Sequence, residues 1–425
     1  MRFALVIGSR SDGGTYQYGQ MVASALETYA ARNGDEVLVV LASGEEPDDH
    51  GSAGWPVVRL DAGTAAERLG RRLTARMPGQ ARLRSAANRI AERVRGPRPL
   101  AAGVDPALRS WFAAQRIDLA LWPTPMDLAY RSGIPYVAAV RDLQHRLQPE
   151  FPEVSADGAW EWREFLFSHL IAGAVRVVAD SEAGREDIVR LYGLDAAAAA
   201  RVDVVPYTLP PGLEQPTAAE VERVRTAHDL PARYLFYPAQ FWPHKNHERL
   251  IEALSLLDGP SAEVPLVLTG SRGGDLRAAQ FDRVMARARE LGVDGRVRWL
   301  GYVPAEDISP LYAGAEALVM PTFFGPTNIP QIEAWFLGCP VITSAIHGIP
   351  AQVGDAALLA DPRSAEEIAG CIRRVLEEPG LRAELVQRGR ARLAAYPQAE
   401  FARRFGAVLD AARSELAVTA ARDAA

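Results

Sequence analysis

The sequence predicts an α/β protein made of two doubly wound parallel-sheet domains that face each other across a cleft. Three observations point there. Short apolar runs rich in β-branched residues alternate with longer amphipathic stretches along the whole chain. The runs are apolar at successive positions, which is the pattern of parallel strands buried on both faces. A segment with four prolines and a glycine, Pro206 to Pro216, breaks the alternation, which then restarts. Strands alternating with helices build a parallel sheet covered on both sides.

In chain order, the first set of strands is Phe3–Gly8, Glu36–Leu41, Val57–Leu60, Asp118–Trp122, Tyr136–Val140, Val175–Ala179 and Val202–Val205. The stretch Thr15–Asn33 reads as the helix that follows the first strand. The second set is Tyr234–Tyr237, Leu266–Leu268, Val297–Leu300, Ala317–Met320 and Val341–Thr343. The expected boundaries are a first domain over 1–207, a second over 208–395 and a tail over 396–425. A helical pattern from Ala399 to about Val418 follows Pro397, and it must pack on one of the two domains. In facing sheets of this kind, ligands bind beyond the carboxyl ends of the strands, so the chemistry is expected in the strand-to-helix loops.

Composition narrows the function classes. The chain has 425 residues, 48% hydrophobic and 24% charged, with a net charge of −6. That is an ordinary globular composition, and its sign argues against wholesale nucleic-acid binding. Two cysteines, Cys339 and Cys371, exclude a disulfide scaffold and suit a reducing compartment. The chain has no apolar run of membrane-spanning length. The apolar start is too short for a signal peptide, so it reads as the first strand of a cytoplasmic protein. Of the 47 basic residues only Lys245 is a lysine. Genomic bias explains the rarity but not the position.

Three loops carry the chemistry. In S-R-S-D-G-G-T-Y-Q-Y, from Ser9 to Tyr18, Gly13 and Gly14 precede a helix start where backbone N–H groups approach an anion. Their spacing is not that of the dinucleotide fingerprint. In A-Q-F-W-P-H-K-N-H, from Ala239 to His247, Lys245 opens a helix that Asn246 is placed to cap. A cation is unfavourable at that helix end, unless an anion binds between them. His244 and His247 lack a carboxylate or cysteine cluster, so no metal is expected. The third loop follows a strand and reads P-T-F-F-G-P-T-N-I-P-Q-I-E-A-W-F-L-G-C-P-V-I, Pro321 to Ile342. Thr327 or Asn328 is the N-cap, Pro330 lies in the first turn, and the free N–H groups are expected to point into the cleft at a phosphate. Glu333, one turn on, is placed to accept hydrogen bonds from vicinal hydroxyls such as those of a ribose. It also complements the helix dipole.

The stretch Arg68–Arg98 holds ten arginines and one acid, Glu92, with apolar residues at helical spacing. The functional reading is a surface for anionic lipid or an anionic acceptor, which would bring the protein to the inner face of the membrane. The plain reading is two helices with a solvated basic face.

These motifs, in this order, resemble the retaining nucleotide-sugar glycosyltransferases of family 4, whose fold is the two-domain GT-B. The likeness lies in A-Q-F-W-P-H-K-N-H, Gly301–Val303, the G-P-T-N-I-P loop, S-D-G-G-T-Y-Q-Y and V-R-D-L-Q-H-R-L-Q-P-E-F around Asp142. The resemblance implies a donor diphosphate held by Lys245 and a phosphate-binding turn at Thr327, Asn328 and Ile329. It implies ribose on Glu333, the base near Tyr302 and Val303, Gly13 and Gly14 on the donor, and Gly14 at the donor–acceptor junction. Lys245, Glu333 and Arg141 are the catalytic candidates, and Tyr16, Asp142 and His145 lie on the acceptor side. The last helix crosses back onto the first domain in this fold.

Three positions depart from the family pattern. Gly325 stands where relatives carry the first of two glutamates, Gln240 where they carry an arginine, and Arg141 where they carry a histidine. Arg272 is the candidate to replace the charge missing at 240. The expected activity is metal-free transfer of a hexose from a GDP- or UDP-linked sugar to a glycan, lipid-linked or small-molecule acceptor. No cofactor and no nucleic acid are involved. The other readings are a sugar-nucleotide epimerase and a non-catalytic nucleotide-sugar-binding partner of another transferase.

Overall fold

The computed structural model describes residues 1–8, 14–42, 54–60 and 101–423. Gly13 and the arginine-rich stretch 68–98 lie outside the described residues. Each set of strands forms one parallel sheet. The first comprises β1 (Arg2–Ile7), β2 (Glu36–Leu41), β3 (Val57–Arg59), β4 (Leu119–Trp122), β5 (Tyr136–Ala139), β6 (Arg176–Ala179) and β7 (Val202–Val204), in the order β3-β2-β1-β4-β5-β6-β7. The second comprises β8 (Leu235–Pro238), β9 (Leu266–Thr269), β10 (Val297–Trp299), β11 (Ala317–Met320), β12 (Val341–Ser344) and β13 (Leu358–Ala360), in the order β10-β9-β8-β11-β12-β13. The winding reverses between β1 and β4 in one sheet and between β8 and β11 in the other. Crevices at such reversals are where open α/β sheets bind ligands.

All twelve expected strands are present, and the central ones are buried along their length, as their unbroken apolar runs require. The thirteenth, β13, was missed. It is a half-buried edge strand of three residues paired to β12, too short to show a period. The first helix runs Gly14–Asn33. Between β7 and the helix Ala218–Ala227 the chain is irregular, and that helix is started by a full capping box at Thr217 and Glu220. It belongs with the second domain: Arg223 and His228 both reach Asp307, at 2.7 and 3.1 Å.

The final helix, Gln398–Asp423, lies on the first domain. Its apolar stripe of Phe401, Phe405, Val408, Leu409 and Ala412 is buried. Gly406 lets the Tyr29 ring approach closely, and the Tyr29 hydroxyl donates to Asp410 at 2.7 Å. Arg176 of β6 pairs with Glu415 at 2.8 Å, and Arg413 pairs with Asp35. The tail therefore ties the end of the second domain to the sheet of the first. Phe405→Ala should cost about 3–5 kcal/mol through lost burial and a cavity. That corresponds to a fall in Tm of roughly 6–20 °C for a domain of this size, read by calorimetry. Val418→Ala, at an exposed position, should leave Tm unchanged.

Candidate functional site

Because β8 and β11 are neighbours, the loops after them meet. Phe323 N–H donates to the His244 carbonyl at 2.8 Å, and the Thr322 hydroxyl donates to the same oxygen at 3.2 Å. Asn246 does not cap the following helix. Its backbone is left-handed, with φ 61°, and its amide donates to the carbonyls of Pro321 and Pro362, at 2.8 and 2.7 Å. The residue read as a cap thus laces three loops together.

Lys245 ends the short turn Pro243–Lys245 and is half-buried. Its ammonium forms no ion pair with a carboxylate of the described residues. Burial pushes its pKa down to about 8, against the pull of Glu153 and Asp142. A desolvated ammonium without a counter-ion is unfavourable, and an anion placed beside it removes that cost. The flanking histidines are structural. His244 donates Nδ1–H to Glu153 at 2.6 Å and is held neutral, near 4, by burial and then by Lys245. His247 is fully buried, stacked on Tyr237 and Phe241, and burial pushes it down to about 3.

Gln240 accepts hydrogen bonds from Trp242 Nε1 at 3.0 Å and from Arg277 at 2.7 Å. Arg277 also lies over the Trp242 ring. Arg272, expected at this place, instead stacks on Phe281 and Trp299. The guanidinium beside position 240 is therefore Arg277, in the first turn of Asp275–Glu290, and burial lowers its pKa. Tyr302 stands exposed and Val303 is buried, on a loop joined to its neighbour by Gly270 N–H donating to the Gly301 carbonyl at 2.9 Å.

The turn before the helix Ile329–Phe336 is built differently from expectation. The N–H of Asn328 does not point free into the cleft: it donates to Gln352 Oε1 at 2.8 Å, and Gln352 returns a 2.8 Å bond to the Asn328 carbonyl. The Thr327 hydroxyl donates to Asp180 at 2.7 Å. Among the described residues the Ile329 N–H meets no acceptor, so it is one donor this turn can offer an anion. Gly14 faces it across the cleft: a Cβ on Gly14 would lie 3.9 Å from the Ile329 side chain.

Glu333 is buried with both oxygens engaged. Gln17 of the first domain donates to one at 2.6 Å, and Tyr312 donates to the other at 3.0 Å. Burial raises its pKa against those two bonds. Gln17 thus occupies one acceptor site of the carboxylate from across the cleft. Other bridges span the cleft: His244 to Glu153, Gln148 to the Phe323 carbonyl at 2.8 Å, Thr327 to Asp180, and His347 to Asp187 at 2.7 Å. The two domains are in a closed arrangement.

On the first domain, Arg141 is held by the Thr15 hydroxyl at 3.0 Å and stacks over Tyr18, with Tyr207 at 3.4 Å. Its charge faces Asp180, a fully enclosed carboxyl that burial pushes up to about 6. Asp142 is paired with Arg163, and that charge, with the Gln144 N–H at 3.3 Å, holds its carboxyl below the ordinary range despite burial. His145 is a correction. Its ring is wholly buried, stacked on Phe167 and bonded to Glu164 at 3.2 Å, so it supports the domain and cannot touch an acceptor. Tyr16 is half-buried at the start of the first helix. A cavity of about 340 Å³ lies behind the turn, lined by Asp180, Tyr207, Thr327, Gln352 and Tyr396, and Lys245 lies outside it.

Sequence reading missed Gln17, Asp180, Gln352, Arg277 and Tyr312. Asp180 had a signal, since it directly follows a buried strand at the carboxyl edge of a sheet. Among the described residues, no group of three His, Cys, Asp or Glu could hold a metal, and no helix is long and apolar enough to cross a membrane. Because Lys245 is cationic below about pH 8 and neutral above it, binding of a nucleoside diphosphate should weaken as pH rises through 8. Titration calorimetry should show that limb, and Lys245→Met should lack it.

Comparison with known proteins bears on the fold and on the family of the second domain. Residues 219–392 match the profile of the family described as Glycosyl transferases group 1. O-antigen chain mannosyltransferase B of Escherichia coli is 30% identical over 243 residues, 56% of this chain and 61% of that one. D-inositol 3-phosphate glycosyltransferase of Acidothermus cellulolyticus is 27% identical over 51% of this chain and 49% of that one. The matches thus span about half to three fifths of the length of these relatives. Sucrose-phosphate synthase from Thermosynechococcus elongatus superposes with a TM-score of 0.70 at 20% identity, over 98% of this chain and all of that one. Anabaena HepE in complex with UDP and glucose gives 0.64 at 17% identity, over 99% of this chain and all of that one. In fold over nearly its whole length the chain has the GT-B architecture, and in sequence over 219–392 it is similar to the group 1 glycosyltransferases.

Proposed function

We propose that this protein is a glycosyltransferase that moves a hexose from a nucleotide diphosphate sugar to a glycan, lipid-linked or natural-product acceptor, with retention and without a metal. The observation that carries this reading is Lys245: a half-buried ammonium with no ion pair to a carboxylate of the described residues, after the strand at the switch point of the second sheet. The match to group 1 glycosyltransferases, the named mannosyl- and inositol phosphate glycosyltransferase relatives and the fold shared with a UDP complex support it.

In this reading the diphosphate lies between Lys245 and the Ile329 N–H. As the bond from the anomeric carbon to the phosphate oxygen breaks, its electron pair passes to the diphosphate, where Lys245 stabilises the developing charge. The acceptor hydroxyl attacks from the same face and its proton passes to the departing phosphate oxygen. Arg141, anchored by Thr15 beneath the cleft, faces the reacting sugar from the first domain. The closed cleft keeps water from the donor. The contact between Gln17 and Glu333 yields to the ribose hydroxyls when the donor enters.

Lys245→Ala should lower kcat/KM for transfer by about 10²–10³-fold, the range for loss of one charge-stabilising donor. Unchanged kcat/KM contradicts the role. Gln17→Ala should lower KM for the donor several-fold, because the ribose no longer displaces a bound amide; a raised KM contradicts the displacement. Incubation with donor alone separates the rival readings. Accumulation of an epimeric nucleotide sugar supports an epimerase. Tight binding with no transfer to any acceptor supports a non-catalytic partner.

A further inference from the structure

We propose that the side-chain amide of Asn328 reads a hydroxyl of the transferred sugar, from the space that a side chain at position 325 would otherwise fill. This inference rests on the reading of the site as a nucleotide-sugar transferase.

Asn328 is 7% exposed, and its amide makes no hydrogen bond to any described residue, with Nδ2 sealed from solvent. A buried unpartnered amide is costly and so rare. The residue stands at an N-cap with extended backbone, φ −138° and ψ 132°, yet its side chain forms no capping bond. It turns instead over Gly325. A Cβ built there would fall 2.6 Å from Oδ1, 2.7 Å from Nδ2 and 2.9 Å from Cγ. Gly325 also has φ 136°, which strains any other residue. Glycine at 325 and asparagine at 328 are thus steric complements, and only one of the two positions can present a side chain.

The backbone under the amide cannot relax to find a partner elsewhere. Gln352 holds both the N–H and the carbonyl of Asn328 at 2.8 Å. The amide therefore stands, with no partner among the described residues, on a fixed backbone and turns only about its own side-chain bonds, one residue before the Ile329 N–H proposed to face the diphosphate. The group joined to that diphosphate is the sugar. An amide can donate to or accept from a hydroxyl, whereas a carboxylate only accepts and carries charge beside a diphosphate. The ligand class this selects is a neutral hexose bearing a hydroxyl at the position that meets Asn328.

The test compares the whole protein with Asn328→Ala and Asn328→Ser, each checked for an unchanged melting temperature. Titration calorimetry measures a nucleoside diphosphate and the matching nucleotide sugar, and initial rates measure transfer from that sugar and its monodeoxy analogues. The expected result is a nucleoside diphosphate Kd within twofold of wild type and a fall of at least tenfold in kcat/KM for transfer. One deoxy donor that is poor with the wild type should be discriminated no longer by either variant. Equal loss of nucleoside diphosphate and sugar donor binding, or unchanged transfer, overturns the proposal. If one variant fails to fold, the other decides by the same criteria. If the wild type binds no nucleoside diphosphate at all, the reading of the site itself fails, and this inference falls with it.

Discussion

The constraint on which the site depends is the desolvated ammonium of Lys245. Folding half-buries it without an ion pair to a carboxylate of the described residues, and burial pushes its pKa down to about 8. Such a charge is tolerated only where the surroundings are fixed. Here the fixing comes from backbone and amide bonds: the His244 carbonyl receives Phe323 and Thr322, and Asn246 fastens the loops at Pro321 and Pro362. Each such bond contributes about 0.5–1.5 kcal/mol net, so several together set the position of a group that would otherwise move toward solvent. In the proposed reading the loop is thereby shaped for an anion in advance, and such preorganisation is what lets a charge act on a transition state.

The same principle governs the contacts between domains. Gln17 on Glu333, Glu153 on His244 and Asp180 on Thr327 each place a polar group of the first domain on a group of the second. These are exchangeable bonds. The amide of Gln17 occupies a carboxylate oxygen that a ribose hydroxyl can take at little net change in hydrogen bonding. The His244 contact is different in kind, since Glu153 receives both the ring Nδ1–H and the backbone N–H of His244. It acts as a clamp beside Lys245.

Much of the architecture was legible in the sequence because buried parallel strands announce themselves as short unbroken apolar runs. Twelve did so, and β13 did not, since three half-buried residues at an edge carry no period. The site was legible only as a set of loops. Thr327, Asn328 and Glu333 lie at the helix start that the spacing predicts, but their partners come from 180, 352 and 17, and no local spacing reveals such pairings. His145 misled because its motif neighbours a cleft loop, while its ring turns into the core against Phe167. Arg272 and Arg277 are both plausible by distance along the chain. Arg277, inside the helix Asp275–Glu290, reaches Gln240, while Arg272, in the loop before it, lies on aromatic rings. Gly325 was seen as a missing glutamate, and only the structure shows that Asn328 occupies its space.

The central claim is that Lys245 waits for an anion in a partly neutral state. Titration calorimetry of a nucleoside diphosphate, run at pH 8 in two buffers of different ionisation enthalpy, tests it most directly. The account predicts uptake of about half a proton per site at that pH, as the bound diphosphate returns the ammonium to full charge. It predicts almost none at pH 6.5 from this residue, and none at pH 8 in Lys245→Met. Tight binding at pH 8 without proton uptake would contradict it.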